Sequence, residues 1–223
     1  MATLAPSILG ADFSRLGDEI QSADAAGVRF FHLDIMDGHF VPNISYGPGI
    51  VKTIDKLTDG FLDAHLMLSE PEKYFDAFKK AGADAITFHL EVHPDPLPYA
   101  QQIRQLGLQP GLSLNPDMPI EKALPFLAHF DLLLIMSVFP GFGGQSFIED
   151  TIGRIRTARE HIDRESLTTK ISVDGGVDRT NAERVVEAGA DILVMGTAFF
   201  TSDDRPGLVK HVNSLSHQKS RKV

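Results

Sequence analysis

The feature that most constrains this chain is an alternation. Short runs rich in Ile, Val, Leu and Phe are followed by longer amphipathic runs, eight times over. The strand-like runs are Leu4–Leu9, Phe30–Met36, Phe61–Leu68, Ala85–Leu90, Gln109–Asn115, Leu132–Val138, Lys170–Asp174 and Asp191–Gly196. The helical runs are Asp12–Ala26, Gly49–Leu57, Glu72–Ala81, Pro98–Leu106, Ile120–Ala128, Ile148–His161, Arg179–Ala188 and Pro206–Leu215. Each pair takes roughly 28 residues, the size of one βα unit. Strands separated by helices of this length pair in parallel through crossovers. Eight such units close a barrel more readily than they form an open sheet, and no linker or shift of composition divides the chain. The expected fold is one (β/α)8 barrel domain over residues 1–223, with 217–223 a frayed polar tail. An open doubly wound sheet is the weaker alternative.

Local signals agree. Gly27, Gly82, Gly107 and Gly189 each follow a helical run, where a left-handed cap is wanted. Asp12 and Asp178 suit helix caps, and Pro71 and Pro119 suit a first turn.

Composition narrows the chemistry. There is no cysteine, which excludes disulfides, thiol nucleophiles and thiolate metal sites. Any metal must be held by His and carboxylates. A formal net charge of -9 argues against nucleic acid and against anionic membranes as partners. No apolar run approaches a membrane span, and MATLAPSILG has neither the basic segment nor the apolar core of a targeting peptide, so a cytoplasmic protein is expected. An acidic protein that takes an anionic substrate needs a local device to hold it.

FFHLDIMDG is the most informative segment. His32, Asp34 and Met36 lie at i, i+2 and i+4 on one strand, hence on one face, which in a barrel is the inner one. Buried unpaired, His and Asp cost several kcal/mol each. His65 lies toward the end of the next strand and Asp174 ends the seventh, so all four sit at the rim where barrel active sites form. Two His and two carboxylates suit one divalent cation such as Zn, Fe(II), Mn or Co. A hydrogen-bonded core pair is the plainer reading of His32 and Asp34 taken alone. His89 also ends a strand, where a supporting or structural role fits better than a ligand. His39 follows a strand in a loop and could be either; His93, His129, His161, His211 and His217 read as surface residues.

Three glycine-bearing turns end the last three strands: Pro140–Gln145, Asp174–Val177 and Met195–Phe199. Gly lets backbone N–H groups approach an anion, and the loops after strands seven and eight of a barrel are a recurring phosphate site. None of the three contains Lys or Arg, so neutral N–H dipoles would hold the anion. One such turn alone marks only a tight turn.

Taken in order, APSIL, HLDIMDGHFVPN, HLM, LNP, MSVFPGFGGQSF, VDGGV and AGADILVMGTAFF resemble the ribulose-phosphate 3-epimerase family over residues 4–200. The resemblance implies a TIM barrel of the ribulose-phosphate-binding type. It implies metal-dependent, reversible epimerisation of D-ribulose 5-phosphate to D-xylulose 5-phosphate at C3, through a metal-stabilised enediolate with two aspartate acid/base groups. By position, His32, Asp34, His65 and Asp174 match the family's metal ligands, and Asp34 and Asp174 its acid/base pair. Ser7, His65, Gly141, Phe142, Gly143, Gly144, Asp174, Gly175, Gly176, Gly196 and Thr197 match substrate and phosphate contacts. Met36, Met67 and Met136 match a methionine set lining the site, although periodicity alone reads them as core. Two departures stand out: Gly10 where Ser is common, and Phe139 where a polar residue is common, which bears on the lid and on sugar preference. The expected partner is a small sugar phosphate, and a homo-oligomer is expected. Competing readings are an epimerase for D-allulose 6-phosphate and a non-catalytic phosphate-binding barrel. A related decarboxylase fits less well, because the third strand carries His65 where an Asp-x-Lys-x-x-Asp array needs Lys.

Overall fold

The computed structural model describes residues 1–217. Eight parallel strands run in order: β1 (Thr3–Pro6), β2 (Phe30–Met36), β3 (Phe61–Met67), β4 (Ala85–His89), β5 (Gln109–Leu114), β6 (Leu132–Met136), β7 (Lys170–Asp174) and β8 (Ile192–Met195). The hydrogen-bonded order is β1-β8-β7-β6-β5-β4-β3-β2. A parallel bridge from Ser7, just past β1, to His32 on β2 joins the two ends. The ring is therefore a (β/α)8 TIM barrel, as the alternation predicts.

The helices are α1 (Leu16–Ala25), α2 (Pro48–Asp55), α3 (Phe75–Lys80), α4 (Leu97–Gln105), α5 (Thr151–Arg164), α6 (Ala182–Glu187), α7 (Thr197–Phe200) and α8 (Arg205–Ser214). Where residues 120–128 were expected to be helical there are only 3-10 turns, Ile120–Lys122 and Leu124–His129. Pro125 accounts for this: with no N–H and a ring that crowds the preceding turn, it cannot sit inside an α-helix. The run after Asp12 is split likewise, a 3-10 turn at Phe13–Arg15 preceding α1, with the Asp12 carboxylate accepting from Ser14 N. Gly27, Gly82, Gly107 and Gly189 all adopt positive φ after their helices, as read. Met195–Phe199, expected as a turn, winds into α7 with Gly196 at its cap. His217 is not frayed; it meets Asp191 Oδ1 at 2.9 Å. The rest of the expected tail, 218–223, lies outside the described residues.

Strand alternation sorts the side chains into two environments. Phe31, Leu33 and Ile35 of β2 point outward into the main core beneath the helices. That core also takes Ile20, Ile54, Phe75, Phe78, Ile155 and Val212 from the helices, each fully buried. Burying a side chain of this size stabilises by about 1.5–3 kcal/mol. Inside the barrel a smaller apolar plug of Ala5, Ala85, Leu132, Ile192 and Val194 fills one end, with Phe30 stacked on Phe61. Toward the strands' C-terminal ends the interior becomes polar on the β2–β4 side, where His32, Asp34, Asp63, His65, Thr87 and His89 are all buried.

Gly111 makes room for that polar column. It pairs with Thr87 across β4 and β5. A Cβ at 111 would fall on the Thr87 hydroxyl and 3.1 Å from its Cα. Thr87 Oγ1 donates to Asp63 Oδ1 (2.7 Å), and Asp63 Oδ2 faces His32 Nδ1 (3.1 Å). Gly111→Ala is expected to destabilise the barrel by about 1–3 kcal/mol, because an overpacked interior must shift backbone. Urea denaturation measures it; an unchanged midpoint would show that Thr87 has slack this packing denies it.

Candidate metal and active site

Strand register assembles the site. Asp34 pairs with His65 and His32 with Asp63 across β2 and β3, and Asp174 ends β7 opposite Met136 and Val194. Each of His32, Asp34, His65 and Asp174 offers one ligand atom, and these four atoms lie within 4.8 Å of one another. His32 and His65 are fully buried, Asp34 is 4% exposed and Asp174 is partly buried.

The donor spacing fits one divalent cation. His32 Nε2 and His65 Nδ1 are 3.2 Å apart, His65 Nδ1 and Asp34 Oδ1 3.0 Å, and His32 Nε2 and Asp34 Oδ1 3.4 Å. Ligand atoms at about 2.1 Å from one ion stand about 3.0 Å apart at right angles and about 3.4 Å apart at tetrahedral angles. The three separations fall within that range. Asp63 Oδ2 sits against His32 Nδ1, the arrangement that directs a histidine's other nitrogen at a metal. Ser7 Oγ donates to Asp34 Oδ2, tying the end of β1 to the site.

The protein compensates buried charge with protons. Burial works against a charged His32, but Asp34, by charge and hydrogen bond, and then Asp63 outweigh it, so His32 holds its proton well above the ordinary histidine range. Burial would raise Asp34, yet His32 and then His65 hold its carboxyl well below the usual range. Burial is the main reason the His65 pKa falls to about 4; neighbouring His89 and His32 add to the fall and the Asp34 hydrogen bond opposes it. Asp174 is pushed up to about 7, first by burial and then by the Asp34 charge. The two carboxylates thus sit in one cavity with very different proton affinities.

That cavity, about 530 Å³, opens at the C-terminal rim. Every residue expected to touch substrate lines it except His65, which is sealed beneath the wall: Ser7, Gly141–Gly144, Asp174, Gly175, Gly176, Gly196 and Thr197 are all on it. Met36, Met67 and Met136 line it as well. No Lys or Arg does. Gly176 adopts φ +63°, and a Cβ there would meet Phe147 N and Gln145 O, so the turn after β7 and the loop after β6 pack backbone to backbone. Asn43 Nδ2 donates to Gly141 O at 2.7 Å, linking the loops after β2 and β6. Gly10 lies on the wall, where a Cβ would come 2.6 Å from Gly196 C; this departure lets the chain after β1 approach the loop after β8. Phe139, the other departure, is 52% exposed and off the wall, and its carbonyl accepts from Gln145.

Other histidines sort cleanly. His39 is exposed and its Nδ1 meets the Asp37 carbonyl, outside the cavity. His129 is exposed, whereas His93, His161, His211 and His217 are partly buried rather than fully at the surface. His89 is fully buried and faces His65, Nε2 to Nε2, at 2.8 Å, in line with a supporting role. Sequence reading passed over Asp63, Thr87, Glu91 and Ser137. Asp63 was findable: it stands at i−2 from His65 and so shares its inward face. Ser137 donates to the carbonyls of Asp174 and Gly175, a contact between strands that no local pattern signals.

Comparison with known proteins points to one family. The model of the ribulose-phosphate 3 epimerase family matches residues 3–200. A ribulose-phosphate 3-epimerase of Synechocystis sp. is 50% identical over 201 residues, covering 89% of this chain and 87% of that protein. One from Bacillus subtilis is 42% identical over 213 residues, covering 95% and 98%. Among solved structures, 3-hexulose-6-phosphate synthase from Salmonella typhimurium superposes with a TM-score of 0.68 at 15% identity, covering 94% of this chain and 96% of that one, which shows a shared fold.

Cation binding is expected to expel protons. In the metal-free protein His32 keeps its proton above the ordinary range and Asp174 titrates near about 7, so both hold protons at mildly acidic pH that a cation must displace. Affinity for Zn or Co(II) should therefore fall as pH drops through about 7, with proton release largest on the acid side. Calorimetry in two buffers of different ionisation enthalpy reads the released protons; none at any pH would contradict the assignment.

Proposed function

The chain belongs to the ribulose-phosphate 3-epimerase family, and we propose that it catalyses the reaction of that name, the reversible inversion of C3 that links D-ribulose 5-phosphate and D-xylulose 5-phosphate. The observation that carries this reading is the pair Asp34 and Asp174. They converge in one cavity from strands separated by β1 and β8, with proton affinities driven apart.

C3 lies next to the C2 ketone, so its proton is acidic once the resulting enediolate is stabilised. Inversion requires a proton taken from one face of that flat species and another delivered to the opposite face. One base cannot do both unless the intermediate turns over; two carboxylates flanking it can. One must begin ionised and the other protonated; in the metal-free protein two histidines hold Asp34 anionic while burial and the Asp34 charge raise Asp174 to about 7, and a bound cation would lower the proton affinity of both. The roles exchange with reaction direction.

His32, Asp34, His65 and Asp174 would hold one divalent cation, Zn, Fe(II), Mn or Co, on the donor spacing above. When bound, such a cation supplies a fixed positive charge that favours enediolate over ketone. Ser7, bonded to Asp34, keeps that carboxylate aimed and stands on the cavity wall where it can meet substrate. The phosphate is assigned to backbone of the turns at Gly175–Gly176 and Gly196–Thr197, with the Gly141–Gly144 loop closing from the β6 side. Met36, Met67 and Met136 give the sugar an apolar bed and keep water scarce near the carbanion. The reading carries with it a cytoplasmic homo-oligomeric enzyme acting on a sugar phosphate, with neither nucleic acid nor membrane as partner; among the described residues no helix is long and apolar enough to cross a membrane.

Asp34→Asn and Asp174→Asn are each expected to lower inversion by at least about a thousandfold while the barrel stays folded. In deuterated solvent, a variant that keeps one base can exchange the C3 proton of one epimer without inverting it. NMR of both epimers in deuterium oxide separates exchange from inversion. Substantial inversion by either variant would sink the two-base reading.

A further inference from the structure

The metal-ligand histidines do not end the polar network. Beyond His65, β4 carries His89, and two residues later comes Glu91. His65 Nε2 and His89 Nε2 are 2.8 Å apart, with ring planes 23° from one another, as a hydrogen bond in the plane of both rings needs. At the far side of His89, Nδ1 lies 3.4 Å from Glu91 Oε2. Both atoms are buried, and neither has a hydrogen-bond partner among the described residues: they face each other as the nearest available donor and acceptor. Glu91 itself is fixed: its Oε1 accepts from Asn115 N at 2.7 Å, and the Asn115 carbonyl is held by Arg154 Nη2 at 2.8 Å.

This chain has a forced proton order. A cation on His65 Nδ1 needs the lone pair there, so the ring proton must be on Nε2. That N–H then points at His89 Nε2, which must accept, placing the His89 proton on Nδ1. An acceptor is required opposite Nδ1. A carboxylate has no proton to give and can only accept, so it leaves one order possible. We infer that Glu91 is a positioning residue that fixes the tautomers of His89 and, through it, of His65, so that His65 presents a bare Nδ1 to the cation. Asp63 does the same for His32 on the other side, directly rather than through a second ring. The inference rests on the proposed metal site.

Glu91→Gln separates this role from simple packing. The amide oxygen of Gln can still accept from Asn115 N, so the loop keeps its anchor. Its –NH2 then faces His89 Nδ1 and donates. The His89 proton moves to Nε2, opposes the His65 N–H and drives the His65 proton to Nδ1, where it blocks the cation. Adding His89→Gln removes the dependence, because a Gln side-chain carbonyl can accept from His65 Nε2 whatever lies at 91.

Metal-stripped, full-length protein is titrated with Co(II), following its visible d–d absorption, with affinity set by competition against a chelator. Glu91→Gln is expected to lose roughly 10–100-fold in affinity, with the melting temperature of the metal-free protein unchanged, and the double variant is expected to recover most of that loss. Affinity of Glu91→Gln within about twofold of the unaltered chain would overturn the inference. Nitrogen-15 NMR of the unaltered Zn-loaded protein gives a second reading independent of any variant: His89 should carry its proton on Nδ1 and His65 on Nε2, and the opposite assignment of His89 overturns it. A separate outcome tests the premise. If the unaltered chain binds no Co(II), or Asp34→Asn binds it equally well, the metal site itself fails and this role with it.

Discussion

A buried carboxylate governs this barrel. Asp34 is 4% exposed at the head of β2, and an ionised carboxylate in such a place is tolerated only if it is paired and hydrogen-bonded. Its partners come from three strands: Ser7 past β1, His32 on β2 and His65 on β3. Each partner brings its own obligation. His32 needs Asp63, Asp63 needs Thr87, and Thr87 occupies the space that Gly111 leaves open. Satisfying one charge has therefore dictated inward-facing residues on five neighbouring segments of the ring.

The other half of the ring is built on opposite terms. From β6 to β8 the interior is mostly apolar, with Leu132, Leu134, Met136, Ile192 and Val194 around a buried Ser172 of β7. Asp174 emerges at the end of β7 between Met136 and Val194, with an apolar surface on each side. This asymmetry separates the two carboxylates chemically. Hydrogen bonds and histidines keep Asp34 charged, while an apolar wall and the Asp34 charge push Asp174 toward neutrality.

Much of this was legible in the sequence because two periods carry it. The eightfold alternation fixes a closed parallel sheet, and the period of two on β2 places His32 and Asp34 inside. Where the reading slipped, the causes were local or long-range. Pro125 replaced a helix by 3-10 turns, a rule of backbone chemistry that the apolar pattern of 120–128 conceals. Glu91 escaped because it lies just past the end of β4, where no strand period places its side chain, and because Asn115, which anchors it, meets it only after β4 and β5 pair. Phe139 drew attention as an odd residue beside the glycines, yet its side chain leaves the cavity altogether. Sequence spacing shows which face a strand residue takes; it does not show where a loop residue goes.

The charge of the whole molecule bears on how an anion is held. The chain is net -9, and among the described residues the cavity wall carries Asp34, Glu149, Asp174 and Asp178 but no Lys or Arg. Long-range attraction of a phosphate is absent, so on the proposed reading recognition acts only at contact, through backbone dipoles. Backbone N–H groups can hold a phosphate at contact without setting a further fixed charge beside the two carboxylates. Glycine at the rim and histidine at the base are then two parts of one arrangement: the glycine turns leave N–H groups open to an anion, and the histidines, with Asp34 and Asp174, form a donor set for a cation.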